Sequence, residues 1–404
     1  MIPNILILFS SILWFYLFFL HGRKPFSNEP YFWSTKIIFE KYINYEILRK
    51  KLKRPDVIVV IPARNEEKNI SLTIKSLLKQ KEQIKKIILV NDQSSDNTVL
   101  IAKNLFYNCK FQRYKILDTK FLPEGWSGKL WSLEQGVNEA IKDKKNNYLL
   151  LVDADITLEE NVIHNLKKTL INRNLFMISL MAKLNCSHFW EKLLIPSFIF
   201  FFQKIYPFNI VNKKTEKIAA AAGGCIFCKQ SLFEKKSLFE KIKHNVIDDC
   251  NLAKLIKNKG AIWLGLTNKV HSTREYKSLG SIWNMVSRCA YEQLHNSPLY
   301  LFFSILGLFL IYLAWPIGFI YYFSGKSSIL SEQNYINFCL LFTIFVISTI
   351  CYLPTIRFYK VSKFFTLFLP ISALFYITMT ISSSFNFHFN SGNEWKGRKY
   401  QQMK

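Results

Sequence analysis

Short apolar runs that break off into carboxylates and amides recur through the first 160 residues. Val57 to Ile61 leads into Pro62-Ala63-Arg64-Asn65-Glu66-Glu67, Ile87 to Val90 into Asn91-Asp92, and Tyr148 to Val152 into Asp153-Ala154-Asp155. Runs this short, bounded by turn residues, read as buried strands. Helix-start patterns follow the first two: Asn65-Glu66-Glu67 precedes Ile70 to Leu78, and Ser94-Ser95-Asp96-Asn97 precedes Thr98 to Leu105. Strand, acidic turn and helix thus repeat at the spacing of βαβ units, which predicts an α/β domain with a mainly parallel sheet. The alternation continues to about residue 275 without internal repeat or long low-complexity segment.

Four longer apolar stretches read as membrane helices: Ile5 to Leu20, Leu299 to Phe323, Tyr335 to Leu353 and Phe364 to Ser384. The first lacks the leading basic residue and the small-residue cleavage site of a signal peptide, so it is expected to stay as an anchor. The expected organisation is an anchor over 1–21, a basic linker over 22–54, a catalytic α/β domain over 55–298, a membrane region of about three helices over 299–384 and a basic tail over 385–404. Within the domain, 188–208 is strongly aromatic, too short to span and flanked by Lys192 and Lys204. It reads equally as a helix lying in the membrane interface or as an ordinary core helix.

The chain has 404 residues and a formal net charge of +26. Basic residues gather where the chain leaves the first apolar stretch (Arg23, Lys24, Lys36, Lys41, Arg49, Lys50, Lys51, Lys53, Arg54) and between the last two (Arg357, Lys360, Lys363). That distribution follows the positive-inside rule and attraction to anionic lipid, not a nucleic-acid surface, and no RNA-binding motif stands out. It places residues 21–298 in the cytoplasm of a multi-pass inner-membrane protein. Three later crossings would carry the tail outside, whereas Lys396, Arg398, Lys399 and Lys404 draw it to the cytoplasmic side. Eight cysteines show no disulfide framework. Cys225-x-x-Cys228 has no second pair or nearby histidines and reads as small buried residues, with a redox role second.

An open parallel sheet binds ligands at the carboxyl ends of its strands, so the acidic turns should converge. An isolated Asp-x-Asp is usually a strand end or a helix cap. Here it is the third acidic end of one sheet, and on an extended segment Asp153 and Asp155 would point the same way and share a divalent cation. Such a pair leaves the other metal positions to water and phosphates, which suggests a sugar nucleotide as substrate. Gly125-Trp126-Ser127-Gly128-Lys129 precedes the helical pattern Leu130 to Ala140, putting Lys129 where an anionic diphosphate is favoured, with a solvated surface lysine as the alternative. Ala222-Gly223-Gly224 offers backbone free of side chains to a closely approaching sugar, or else a tight packing turn. Asp248 and Asp249 open a helical pattern over Asn251 to Lys257. Asp249 is the candidate base for deprotonating an acceptor hydroxyl, and Asp248 its capping or orienting neighbour.

Taken together these residues resemble the family 2 glycosyltransferases, whose catalytic domain has the GT-A fold, and within them the membrane-bound group called hopene-associated glycosyltransferases. The resemblance rests on Ile61-Pro62-Ala63-Arg64-Asn65-Glu66, Val90-Asn91-Asp92, Gly125 to Lys129, Asp153-Ala154-Asp155, Leu194-Ile195-Pro196, Tyr206-Pro207-Phe208, Ala221 to Cys225, Ile247-Asp248-Asp249-Cys250, Trp263 to Thr267 and Trp395-Lys396-Gly397-Arg398. It implies that Pro62, Ala63, Arg64, Glu66, Asp92, Lys129, Asp153, Gly223, Gly224 and Asp248 bind the donor, with Glu66 and Asp92 on the nucleotide base and ribose. It further implies that Asp155 binds Mg2+ or Mn2+, that Asp249 is the base, and that Arg288 stabilises the leaving diphosphate. Many members carry Gln or Arg, two residues, then Arg-Trp where this chain reads Met285-Val286-Ser287-Arg288-Cys289. Only the Arg remains, which argues against a processive polymer synthase and for transfer of one sugar.

The expected activity is therefore inverting transfer of a sugar from a nucleotide diphosphate, UDP being the expected carrier, to a membrane lipid. A hydroxylated hopanoid is the acceptor implied by the group, and a polyprenyl phosphate or another glycolipid the nearest rival. A non-catalytic nucleotide-binding protein would have no need of Asp249. A nucleotidyltransferase would carry a Gly-rich, Arg- and Lys-containing loop where Pro62 to Glu66 stands. The sequence alone fixes neither the base nor the sugar of the donor, nor the oligomeric state.

Overall fold

The computed structural model describes residues 4–23, 27–43, 55–143, 147–234, 237–245, 247–324 and 332–389, with the backbone alone at 2–3, 394–395 and 398–399. Lys24, the basic run Arg49 to Arg54, and the Lys396 and Lys404 positions of the tail lie outside the described residues. The chain divides into two compact units. A helical unit comprises Met1–Lys36, Cys186–Asn209 and Tyr276–Ser391; a sheet unit comprises Ile37–Asn185, Ile210–Glu275 and the last residues from Gly392. Residues 186–209 and 276–298, expected inside the catalytic domain, thus group with the apolar helices.

In the sheet unit eight strands form one sheet: β1 Val57–Ala63, β2 Ile84–Asn91, β3 Tyr114–Asp118, β4 Tyr148–Val152, β5 Ile156–Leu158, β6 Met177–Lys183, β7 Cys225–Lys229 and β8 Ile262–Ser272, in the order β3-β2-β1-β4-β7-β6-β8-β5. The pairs β1–β2, β2–β3, β1–β4 and β6–β8 are parallel. β7 runs antiparallel to both of its neighbours, and β5 runs antiparallel to β8. Every residue of β1 is buried, as expected of a central strand covered by helices on both faces. One of those helices, Gly128–Ile141, lies so close that a Cβ on Gly136 would fall 2.4 Å from Val60 Cγ1 and 2.8 Å from Val90 Cγ2. Only glycine lets the helix axis approach the sheet that far.

The expected strands and helices appear at their positions, some longer than their apolar runs: Ile70–Leu78, Thr98–Asn108 and Asp248–Lys257 are helices. The segment Asp153-Ala154-Asp155 is a turn, not an extended strand, with the Ile156 N–H donating to Asp153 O at 3.0 Å. The alternation argument for two carboxylates pointing one way therefore does not hold. Cys225 and Cys228 are fully buried on β7, and burial pushes both thiols up to about 12, as inert packing residues require.

Among the described residues, the helical unit contains three helices long and apolar enough to cross a membrane, Pro298–Phe323, Glu332–Phe358 and Lys363–Phe389. The 18-residue helix Ile2–Phe19 precedes them. Phe309–Leu313 forms a π-helical turn, and the Ile311 carbonyl accepts a hydrogen bond from Trp14 Nε1 at 2.6 Å. Asn337, 3% exposed, donates to Asn4 Oδ1 and to the Tyr322 hydroxyl at 3.0 and 2.9 Å, which joins three helices through one amide. The aromatic segment forms the helix Phe189–Ile205, whose Leu194, Ile195, Ile199 and Phe200 have no exposed surface. Two of its carbonyls, Leu193 and Leu194, accept hydroxyl donors from Ser372 and Tyr376 of the last helix at 2.9 Å. It thus packs as a helix of this unit.

Candidate active site

The turns after β1 and β2 are built as a pair. Each passes through a left-handed residue, Asn65 at φ 51° and Gln93 at φ 52°, and polar side chains tie the two together. Asn65 Oδ1 accepts the Ser95 N–H at 2.9 Å, and the Glu66 and Glu67 N–H groups donate to Thr98 Oγ1 and Asp96 Oδ2 at 2.8 and 3.0 Å. Arg64 Nη1 donates to the Asp92 carbonyl at 2.7 Å, and the Asp92 N–H donates to the Ala63 carbonyl at 2.8 Å. Asp92 is 2% exposed, with Thr119 Oγ1 donating to its Oδ1 at 3.3 Å. Pro62 and Ala63 contribute backbone at the carboxyl end of β1.

Glu66, 6% exposed, turns its carboxylate toward the Asp-x-Asp turn. Asn69 Nδ2 donates to its Oε2 at 2.9 Å, while Arg274 Nη2 reaches its Oε1 at 2.7 Å. The same guanidinium places Nε 3.3 Å from Asp155 Oδ2, which also accepts the Ser272 hydroxyl at 2.8 Å. Thr73 Oγ1 clamps the turn by donating to the Ala154 carbonyl at 2.7 Å. Ser272 ends β8 and Arg274 lies just past it, and neither belongs to a motif that the sequence displays. An arginine beyond a strand has no motif of its own; the signal for it was the unbalanced negative charge at the neighbouring strand ends.

On the other side of the turn, Lys129 in the first turn of Gly128–Ile141 sits 2.9 Å from Asp153 Oδ1 and 3.9 Å from Asp248 Oδ2. Burial would lower its pKa, but Asp153, Asp248 and Asp249 outweigh burial and hold the ammonium well above the usual lysine range. Asp153 is raised by burial against the pull of Lys129, with Asp155 adding to the rise. The two carboxylates expected to share one cation thus meet two different ones, Lys129 and Arg274.

Asp248 was expected as the capping or orienting neighbour of Asp249. The N-cap position belongs to Ile247, Asp248 is the first residue of the helix Asp248–Lys257, and its Oδ1 accepts the Asp249 N–H at 3.0 Å. Asp249 Oδ1 accepts the Cys250 N–H and its Oδ2 the Gly223 N–H, both at 2.7 Å. A Cβ on Gly223 would lie 3.2 Å from both Asp249 Oδ2 and Lys129 Nζ, so this backbone stands directly against the two charged groups. Burial first, and then the Asp248 carboxylate, push Asp249 up to about 6 against Lys129 and the two N–H donors. Lys129, Asp153, Gly223, Asp248 and Asp249 line one pocket, closed behind by Leu133, Ile226, Phe239 and Leu252. Gly224 lies beside it, its carbonyl accepting the Asp153 N–H at 3.2 Å. Arg288 belongs to the helical unit, at the C-terminal cap of Leu279–Ser287.

Among the described residues no three His, Cys, Asp or Glu side chains form a metal cage. The donors at hand are carboxylate oxygens, which suit Mg2+ or Mn2+ when phosphate completes the coordination. A basic carboxylate, a paired lysine and bare glycine backbone in one pocket can together take a proton and hold an anion.

Residues 58–236 match the family model described as Glycosyl transferase family 2. An uncharacterized protein of Methanocaldococcus jannaschii is 32% identical over 118 residues, 29% of this chain and 48% of that one. A 4,4'-diaponeurosporenoate glycosyltransferase of Staphylococcus aureus is 30% identical over 139 residues, 34% of this chain and 33% of that one. The chain thus matches less than half the length of these relatives. Among solved structures, the mannosyltransferase PcManGT from Pyrobaculum calidifontis, in complex with GDP-Man and Mn2+, aligns with a TM-score of 0.47 at 11% identity, over 85% of this chain and 97% of that one. Staphylococcus aureus TarS 1-349 in complex with UDP-GlcNAc aligns with a TM-score of 0.39 at 13% identity, over 85% and 95%. The strand ends that carry Glu66, Asp92, Asp153 and Asp155, with the glycines facing Asp249, lie within residues 58–236, the stretch that matches the glycosyltransferase family 2 model, and the sheet there has the GT-A fold.

Proposed function

We propose that this protein is a membrane-bound inverting glycosyltransferase that moves one sugar from a nucleotide-diphosphate sugar, UDP-linked, to a lipid acceptor on the cytoplasmic face of the inner membrane. The observation that carries the reading is Asp249, whose carboxylate accepts the Gly223 and Cys250 N–H groups at 2.7 Å in one pocket with Lys129, and which burial and the Asp248 carboxylate push up to about 6. A base of that strength is largely ionised at neutral pH and still able to take a proton from a hydroxyl in the transition state. Asp249 accepts the acceptor's hydroxyl proton as its oxygen attacks the anomeric carbon, and the diphosphate departs from the opposite face. Lys129 holds the diphosphate, Gly223 and Gly224 admit the sugar, and Glu66 and Asp92 hold the nucleoside. Mg2+ or Mn2+ at Asp155 would supply charge neutralisation at the leaving diphosphate.

The lipid acceptor is supported by the three long apolar helices and by the relative named as a 4,4'-diaponeurosporenoate glycosyltransferase. A hydroxylated hopanoid is the acceptor we assign, from the motif resemblance, with a polyprenyl phosphate as the rival. The test is mass spectrometry of lipids extracted from cells with and without the gene. A lipid one sugar residue heavier, present only with the gene, is the expected result; the mass difference identifies the sugar and the remaining mass the acceptor. Unchanged lipids, with no sugar transferred by purified membranes from any nucleotide sugar offered, would refute the assignment.

A further inference from the structure

Glu66 and Asp155 come from different strand ends, are almost buried, and converge on one guanidinium. The side chains of Glu66 and Asp155 are 7% and 12% exposed and that of Arg274 33%, so the cation, not the carboxylates, faces solvent. Two carboxylates held this close and this dry repel unless a cation lies between them. The two contacts are unequal: Nη2 to Glu66 is 2.7 Å, and Nε to Asp155 is 3.3 Å. The backbone beneath the arginine is fixed, because the Thr273 N–H donates to the Asp155 carbonyl at 2.7 Å and Thr273 Oγ1 donates to Asn69 Oδ1 at 3.0 Å. Ser272 Oγ, itself bound to Asp155 Oδ2, accepts the Arg274 N–H at 3.2 Å. The side chain can therefore let go of Asp155 without the strand end moving, and the longer contact is the one to open.

From this geometry we infer that Arg274 is a positioning residue that serves as an internal counter-ion: it neutralises Asp155 while the donor site is empty and yields that carboxylate to the divalent cation that enters with the diphosphate. The inference rests on the metal role assigned to Asp155. It makes metal binding depend on the nucleotide, because a lone divalent cation must compete with a tethered guanidinium, whereas one arriving with a diphosphate brings oxygens of its own.

The test titrates full-length protein in detergent with Mn2+, free Mn2+ being followed by electron paramagnetic resonance, with and without UDP. Arg274→Gln keeps the side chain's polarity and removes its charge. Without UDP it should bind Mn2+ about tenfold more tightly than the wild type, the scale of an ordinary coupling between two sites, and the gap should narrow when UDP is present. Arg274→Lys, whose single ammonium cannot bridge both carboxylates, should shift in the same direction by a smaller factor and carries the test if the glutamine variant does not fold. Wild-type binding with UDP, but no gain in either variant without it, overturns the counter-ion role and leaves the metal reading standing. No Mn2+ binding by any of the proteins, with UDP or without, removes the metal reading and this inference together.

Discussion

Asp249 is held by two backbone N–H groups and one nearby ammonium, yet its proton affinity still rises, because burial and Asp248 together exceed what those partners return. Asp249→Asn should lower kcat at least about 100-fold, the usual contribution of a general base, while donor affinity stays near wild type. An aspartate working as base must be ionised, so kcat/KM should fall as pH drops through about 6. Lys129 pulls that value down, hence Lys129→Met should move the acid limb of the profile to higher pH as well as raise KM for the donor. A limb that stays in place in that variant would separate Lys129 from Asp249. Most of these side chains were legible in the sequence because they stand at strand ends or helix starts, where a carboxylate or lysine needs a reason to be. Arg274 was not: it comes from a strand end far along the chain, and only the fold brings it to Glu66 and Asp155.

The helix Gly128–Ile141 sets how closely the sheet's cover can approach, through Gly136 against Val60 and Val90. Gly136→Leu should cost roughly 1–3 kcal/mol by overpacking, visible as a lowered melting temperature of the full-length protein. The strands β1, β2 and β4 were legible as apolar runs, and the helices between them as periodic patterns, since local sequence decides both. The direction of β7 was not legible, because an apolar run reads the same parallel or antiparallel. The turn at Asp153-Ala154-Asp155 was missed for a related reason. Nothing local to three residues shows that the Gly224 carbonyl and Thr73 hydroxyl will take its backbone groups.

The molecule as a whole divides by chemistry, with charged strand ends in one unit and long apolar helices in the other. The protein is expected to remain in the membrane fraction through alkaline carbonate extraction, and recovery in the supernatant would count against spanning helices. Asn337→Leu removes the donor shared by Asn4 and Tyr322 and should cost roughly 1 kcal/mol, read as a lower melting temperature in detergent. The assignment of residues 186–209 to the helical unit was not legible from chain order. Their apolar face suited either environment, and the hydroxyls of Ser372 and Tyr376 that receive them lie far away in sequence.

The bond from the Trp14 indole to the Ile311 carbonyl, within the π-helical turn, spans 297 positions of the chain. During synthesis the first helix must therefore wait, its indole unmatched, while the ribosome adds the entire sheet. The partner emerges only in the last quarter of translation, so the two ends of the polypeptide are stitched together late. Maturation of the helical unit should consequently lag behind that of the sheet, whose own strands are complete before Ile311 has been made.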